Sequence, residues 1–297
     1  MTAIARTASN TDFAIALLVV SSVLWGGSFV SVKIGLKYVN AYDFAFLRMA
    51  IASAILVSAL GLRGGMKASA LKEVSLWMLG LLNGVAFALQ YVGLVFTSAG
   101  KAALLVNLNI VIVALLSWRV FRERFGLSKM FGVALGVTGG ALIATNGNLS
   151  TLFQGEMFGD LLVFSAGLVW AFFIVLNKWV LTRVEGDSIQ ISAVVMLATA
   201  VVLMPFAVVF GGLNVGAVPG LGWAWVAFTA IVCTALPYGL WILALKAVTA
   251  TMASLVAMLE IVAAMILSGI LLGETYSTAT VVGAAMVLAS ILVVAQS

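Results

Sequence analysis

The sequence predicts an all-α membrane protein, with about ten transmembrane helices arranged as two inverted five-helix repeats around a central cavity. Three observations carry that prediction: the composition, the series of apolar runs, and a weak self-similarity between the halves. Of 297 residues, 64% are hydrophobic and 8% are charged, whereas a soluble domain carries about 25% charged residues. So few charges cannot build a water-facing shell, and disorder is excluded because it needs low hydrophobicity and high charge. A helix crossing the bilayer uses about 20 apolar residues, and the apolar inventory suffices for nine or ten such spans.

In order, the apolar runs are 13–32, 42–62, 74–95, 100–119, 129–145, 158–181, 189–210, 222–245, 251–272 and 279–296. The first run lacks a small-x-small cleavage site and reads as a span rather than a cleaved leader. Between runs lie turn-forming or charged breaks, among them Lys37-Tyr38-Val39-Asn40, Arg63-Gly64-Gly65, Arg122-Glu123-Arg124, Asn146-Gly147-Asn148, Glu185-Gly186-Asp187 and Gly273-Glu274-Thr275. Lipid admits only helices and closed β-barrels. Barrel strands alternate apolar and polar residues, and the unbroken run Ile110-Val111-Ile112-Val113-Ala114-Leu115-Leu116 does not.

Basic residues set the expected orientation. With ten helices and the amino terminus inside, Arg6, Arg63, Lys67, Lys72, Arg119, Arg122, Arg124, Lys129, Lys178, Arg183 and Lys246 lie on the inner side. Lys33, Lys37, Arg48 and Lys101 lie on the outer side. This asymmetry favours a multi-pass membrane protein with both termini cytoplasmic.

The repeat is read at two spacings. Trp25 and Lys33 recur as Trp170 and Lys178 at an offset of 145, and Glu123 and Gly132 recur as Glu274 and Gly283 at 151. The expected division is 1–150 and 151–297. Five helices per repeat is an odd number, so the second unit enters the membrane from the opposite side. Two such units can exchange shapes and open a shared site alternately to either face.

The residues also resemble a known family. Trp25-Gly26-Gly27-Ser28-Phe29, Gly159-Asp160-Leu161-Leu162 before Trp170-Ala171, Thr234-Ala235-Leu236-Pro237-Tyr238, Ala253-Ser254-Leu255 with Leu259-Glu260, and Leu272-Gly273-Glu274 resemble the EamA repeats of the drug/metabolite transporter superfamily. The likeness covers essentially the whole chain and is closest to amino-acid exporters of the YddG type. It implies helices 1–4 and 6–9 around a cavity, with helices 5 and 10 peripheral, and it implies export. The family's Leu-Glu-Pro is Leu259-Glu260-Ile261 here, and the proline of the fourth helix is replaced near Asn107 to Asn109, so those two helices are expected to be less kinked.

Polar groups inside a span face a cavity or another helix. Asn83, Gln90 and Tyr91 lie on the third run, and the seven-residue spacing of Asn83 and Gln90 puts both on one face. They read either as cavity amides or as interhelical glue. Asn107 and Asn109 are expected to face different ways, with at most one, Asn107, lining the cavity. Trp25, Trp170, Tyr238 and Trp241 form an aromatic set suited to apolar side chains or an ammonium. Glu260 is the carboxylate deep in the ninth run, either a coupling group or a structural one bonded to a hydroxyl such as Ser254. Pro237 is a candidate hinge. Gly132, Gly136 and Gly140 form a ladder for close helix packing or a dimer contact. Arg48 is expected to snorkel outward.

These features favour a secondary transporter of small amphiphilic metabolites, amino acids foremost, aromatic and hydrophobic ones included. The alternative is a multidrug or quaternary-cation exporter coupled to protons through Glu260. An intramembrane enzyme is disfavoured, because the chain has no His and no paired carboxylates in facing spans. No cofactor, metal site, catalytic residue or nucleic-acid partner is expected. The expected partners are a small-molecule substrate and the lipid bilayer, with the chain a monomer or weak homodimer.

Overall fold

In the computed structural model the described residues are 3–62, 65–97, 99–122, 126–145, 147–148, 150, 157–184, 187–273 and 275–295. Arg63, Glu123, Arg124, Asn146, Glu185, Glu274 and the junction segment 151–156 lie outside them, as do the side chains of Arg6 and Lys101. The described residues form ten principal helices: α1 (Ala3–Gly35), α2 (Ala41–Gly61), α3 (Val74–Phe96), α4 in two pieces (Ala99–Asn107 and Asn109–Phe121), α5 (Leu127–Ala144), α6 (Met157–Leu181), α7 (Ser188–Phe206), α8 in two pieces (Gly220–Ala230 and Leu236–Leu245), α9 in two pieces (Ala250–Ala257 and Leu259–Leu272) and α10 (Thr278–Ala295). Eight spans, from Thr11–Gly35 to Ala250–Leu271, are long and apolar enough to cross a membrane, and Leu127–Ile143 and Thr278–Val293 are shorter apolar helices.

Local chemistry sets several of the boundaries. The Asn40 side chain accepts from the Asp43 backbone N–H at 2.9 Å and starts α2, and Thr249 accepts from Met252 N–H at 3.1 Å and starts α9. Such caps satisfy amides that the first helical turn leaves unbonded. α9 ends on Gly273 at φ 69°, and α4 ends on Arg122 at φ 54°, the same left-handed stop 151 residues earlier. Glycine adopts that conformation freely, whereas arginine is strained by it.

Both α4 and α9 are interrupted by one residue, with no proline at either interruption. The breaks fall at Leu108 (φ −59°, ψ −13°) and Met258 (φ −59°, ψ −17°). Met258 N–H bonds to Leu255 O at 3.1 Å and Ile261 N–H to Met258 O at 3.0 Å. These three-residue steps tighten the helix locally without any proline.

Packing follows an exchange rule. α1 packs on α8 and α9, and α6 packs on α3 and α4; α2 packs on α7, and α5 on α10. Swapping the first five helices for the last five reproduces the same pairings, the contact signature of a two-fold repeat, and an odd number of spans in each unit makes that repeat an inverted one. The peripheral pair α5 and α10 touches backbone to backbone: a Cβ on either Gly139 or Gly283 would fall 2.6 Å from the other's carbonyl oxygen. The ladder expected on α5 serves this chain's own core, with Gly136 against Met258 and Ser290 and Gly140 against Ile261 and Leu104. Leu115, Val209, Ile270 and Leu292 stand on the exposed apolar exterior, as a lipid-facing surface requires.

Candidate functional site

A cavity of about 140 Å3 lies between the two repeats. α1–α4 and α6–α9 all line it, and α5 and α10 supply none of its lining among the described residues. Trp25, Asn83, Gln90, Tyr91, Asn107, Trp170, Tyr238, Trp241 and Glu260 all face this one space.

The walls are aromatic. Trp25 and Trp241 stack obliquely with centroids 5.3 Å apart, and Phe87 meets Trp170 edge-on at 5.1 Å. Asn83 is both lining and glue. Its Oδ1 accepts from Trp170 Nε1 at 3.0 Å and its Nδ2 donates to Thr199 Oγ1 at 3.0 Å, so it locks the Trp170 ring and ties α3 to α6 and α7. Gln90, two turns along the same wall, has no hydrogen-bond partner among the described residues although it is buried. Its amide is therefore available to the cavity. Trp241 Nε1 is a second buried donor without a partner among the described residues.

Glu260 stands in the first turn after the α9 break, where Asn107 Nδ2 donates to its Oε1 at 2.6 Å. Asn107 is the last residue before the α4 break, so the two breaks are bridged across the cavity. Ser254 is not the partner, because its Oγ has no hydrogen bond among the described residues. Both Asn107 and Asn109 line the cavity. The expectation of only one assumed a continuous helix, and the break at Leu108 changes their angular relation.

Arg48 is the principal correction. It does not snorkel: it is 4% exposed and lines the cavity. Nε donates to Thr234 Oγ1 at 2.5 Å, Nη1 to the Tyr91 hydroxyl at 3.0 Å and Nη2 to Cys233 O at 2.9 Å. Its guanidinium also sits 5.5 Å from the Phe87 ring centroid. The Cys233 carbonyl is available because residue 237 is proline, which has no N–H to return to the carbonyl four residues back. The chain answers with a wide π turn over Ile231–Ala235, so Pro237 shapes the cavity from behind without lining it. One sequence signal for Arg48 existed. It lies seven residues into α2, about 10 Å along the axis, which is deep for a side chain that must reach the interface. Phe87 and Phe173 carried no signal that separates them from core.

At the end of α6 Lys178 Nζ donates to Leu245 O at 2.6 Å. This places a cation on the carboxyl end of α8, where the helix dipole favours it.

Comparison with known proteins gives a consistent picture. The model of the EamA-like transporter family matches residues 12–145 and 157–296. An uncharacterized transporter of Archaeoglobus fulgidus is 31% identical over 232 residues, covering 77% of this chain and 78% of its own. The uncharacterized transporter YyaM of Bacillus subtilis is 27% identical, covering 91% of this chain and 90% of its own. The uncharacterized inner membrane transporter YedA of Escherichia coli is 26% identical over 86% of this chain and 81% of its own. A crystal structure superposes with a TM-score of 0.79 at 17% identity, over 95% of this chain and 96% of that one, which shows a shared fold.

Proposed function

The chain belongs to the EamA-like transporter family, and on that premise we propose that it is a secondary carrier exporting small amphiphilic metabolites, amino acids foremost, by alternating access across the bacterial plasma membrane. The observation that carries this reading is the aromatic-walled cavity held between two inverted repeats and fringed by an unbonded amide, a carboxyl group and a guanidinium. Repeat-related breaks at Leu108 and Met258 supply joints at which the two halves can exchange conformations. Aromatic and hydrophobic side chains suit the rings of Trp25, Phe87, Trp170 and Trp241, and polar main-chain groups suit Gln90, Glu260 and Arg48. The excess of Lys and Arg in the inner loops supports cytoplasmic termini.

A quaternary-cation exporter coupled through Glu260 is the second reading, supported by that carboxyl group facing the cavity. Arg48 weighs against it, since a guanidinium in the same enclosed space repels a permanent cation. Counterflow in proteoliposomes separates the two, using labelled aromatic amino acids, nucleosides and lipophilic cations. The proposal expects saturable counterflow of the amino acids. Flux confined to lipophilic cations and lost in Glu260→Gln would favour the second reading, and conduction without counterflow would remove both.

A further inference from the structure

Arg48 has chemistry left over. Arginine carries five N–H donors, and its three hydrogen bonds go to a hydroxyl, a phenol and a carbonyl. None of these carries a formal charge, and among the described residues no carboxylate pairs with it. The guanidinium is buried about two turns inside α2, at a depth where an intramembrane charge costs several kcal/mol and marks a functional group. A structural clasp between α2 and α8 needs no charge, because a neutral amide would serve. Each nitrogen is tied once, so the plane is held and one N–H remains on each terminal nitrogen. A carboxylate accepts strongly from charged donors of that kind. The neighbouring amide of Gln90, itself unbonded, faces the same space.

We propose that Arg48 is the receptor for a substrate carboxylate, with Gln90 as the auxiliary donor, and that the carrier therefore selects molecules bearing a free carboxylate against otherwise identical amines. This rests on the carrier reading above and adds to it the feature of the substrate that is read. Glu260, held by Asn107 at the α4–α9 crossing, supplies the opposite pole for an ammonium. The apolar remainder of the substrate lies against the rings. Because Arg48 is anchored to the carbonyl released by Pro237, an anion bound to it is coupled directly to the break in α8.

The test compares three labelled compounds sharing one ring: phenylalanine, phenethylamine (which lacks the carboxylate) and 3-phenylpropionate (which lacks the amine). Flux is measured in proteoliposomes, and thermal-shift titration of the purified protein gives binding. The wild type is expected to carry phenylalanine at least tenfold faster than phenethylamine, a discrimination of about 1.4 kcal/mol. Arg48→Gln is expected to lose phenylalanine flux at least tenfold and to lose the discrimination with it, while Arg48→Lys, which keeps the charge but not the fork, retains part of both. The wild-type comparison decides the matter even if Arg48→Gln fails to fold. Equal transport of phenylalanine and phenethylamine, or a monodisperse Arg48→Gln with the wild-type ratio, overturns the role of Arg48 and leaves the amino-acid carrier standing. Transport of 3-phenylpropionate without phenylalanine, abolished in Arg48→Gln, keeps the role of Arg48 and removes the amino-acid reading. A protein that carries the amine alone, or binds none of the three, overturns both.

Discussion

Replacing Gly26 by alanine tests how closely α1 and α9 must approach for the cavity to exist. A Cβ at Gly26 would stand 2.6 Å from the Ala263 Cβ, 2.6 Å from the Glu260 carbonyl oxygen and 2.9 Å from the Ala264 nitrogen. Glu260 and Ala264 are one helical turn apart, so the added methyl drives into the backbone hydrogen-bonding row of α9. Backbone cannot rotate away as a side chain would. Ordinary contact begins at 3.4 Å, so α1 must retreat by roughly 0.8 Å, and overpacking of this sort costs about 1–3 kcal/mol. Gly239→Ala is the matched control, because nothing lies within 4 Å of its added methyl. In a helix interior that exchange is expected to stabilise by about 0.4–1 kcal/mol. Reversible unfolding in mixed detergent micelles, followed by tryptophan fluorescence, reads both. The reasoning is refuted if Gly26→Ala unfolds within 0.5 kcal/mol of the Gly239→Ala protein, a margin of roughly one ordinary surface substitution.

Three further outcomes are expected. Asn107→Leu removes the amide that donates to Glu260; with about 1–3 kcal/mol in such a buried bond, counterflow should fall about tenfold, and pairing it with Glu260→Gln should be less than additive in stability. Trp170→Phe keeps the ring against Phe87 but loses the donor to Asn83, for about 1 kcal/mol, whereas Trp170→Ala should cost about 3–5 kcal/mol; equal losses in an unfolding titration would contradict the assignment. Pro237→Ala returns an N–H toward the Cys233 carbonyl that Arg48 now occupies, so turnover should slow while thermal stability holds or rises, and wild-type turnover would show that the break in α8 is passive.

The ten helices were legible because lipid imposes a length and a polarity on each span, and both are properties of contiguous sequence. Inversion followed from an odd helix count per repeat, and Trp25/Trp170 and Lys33/Lys178 exposed the pairing. The aromatic and amide lining was legible because polar side chains inside a span have few places to go. The place of Arg48 is not legible in the sequence because a long cationic side chain seven residues into a helix can reach either the interface or the interior, and only the acceptors supplied by α3 and α8 settle which. The breaks at Leu108 and Met258 carry no mark in the sequence, because a local tightening of the hydrogen-bond ladder needs no proline.

Sequence alone thus determined what each segment must be in a bilayer, since burial in hydrocarbon acts on one helix at a time. The tertiary structure decided which polar groups meet: Asn107 with Glu260, Arg48 with Thr234 and Cys233, Trp170 with Asn83. Each pair joins residues far apart in the chain, brought together only when the two halves close on one another. The physical reason is that a hydrogen bond depends on ångström-scale position and direction, and no composition or periodicity along a single helix specifies that.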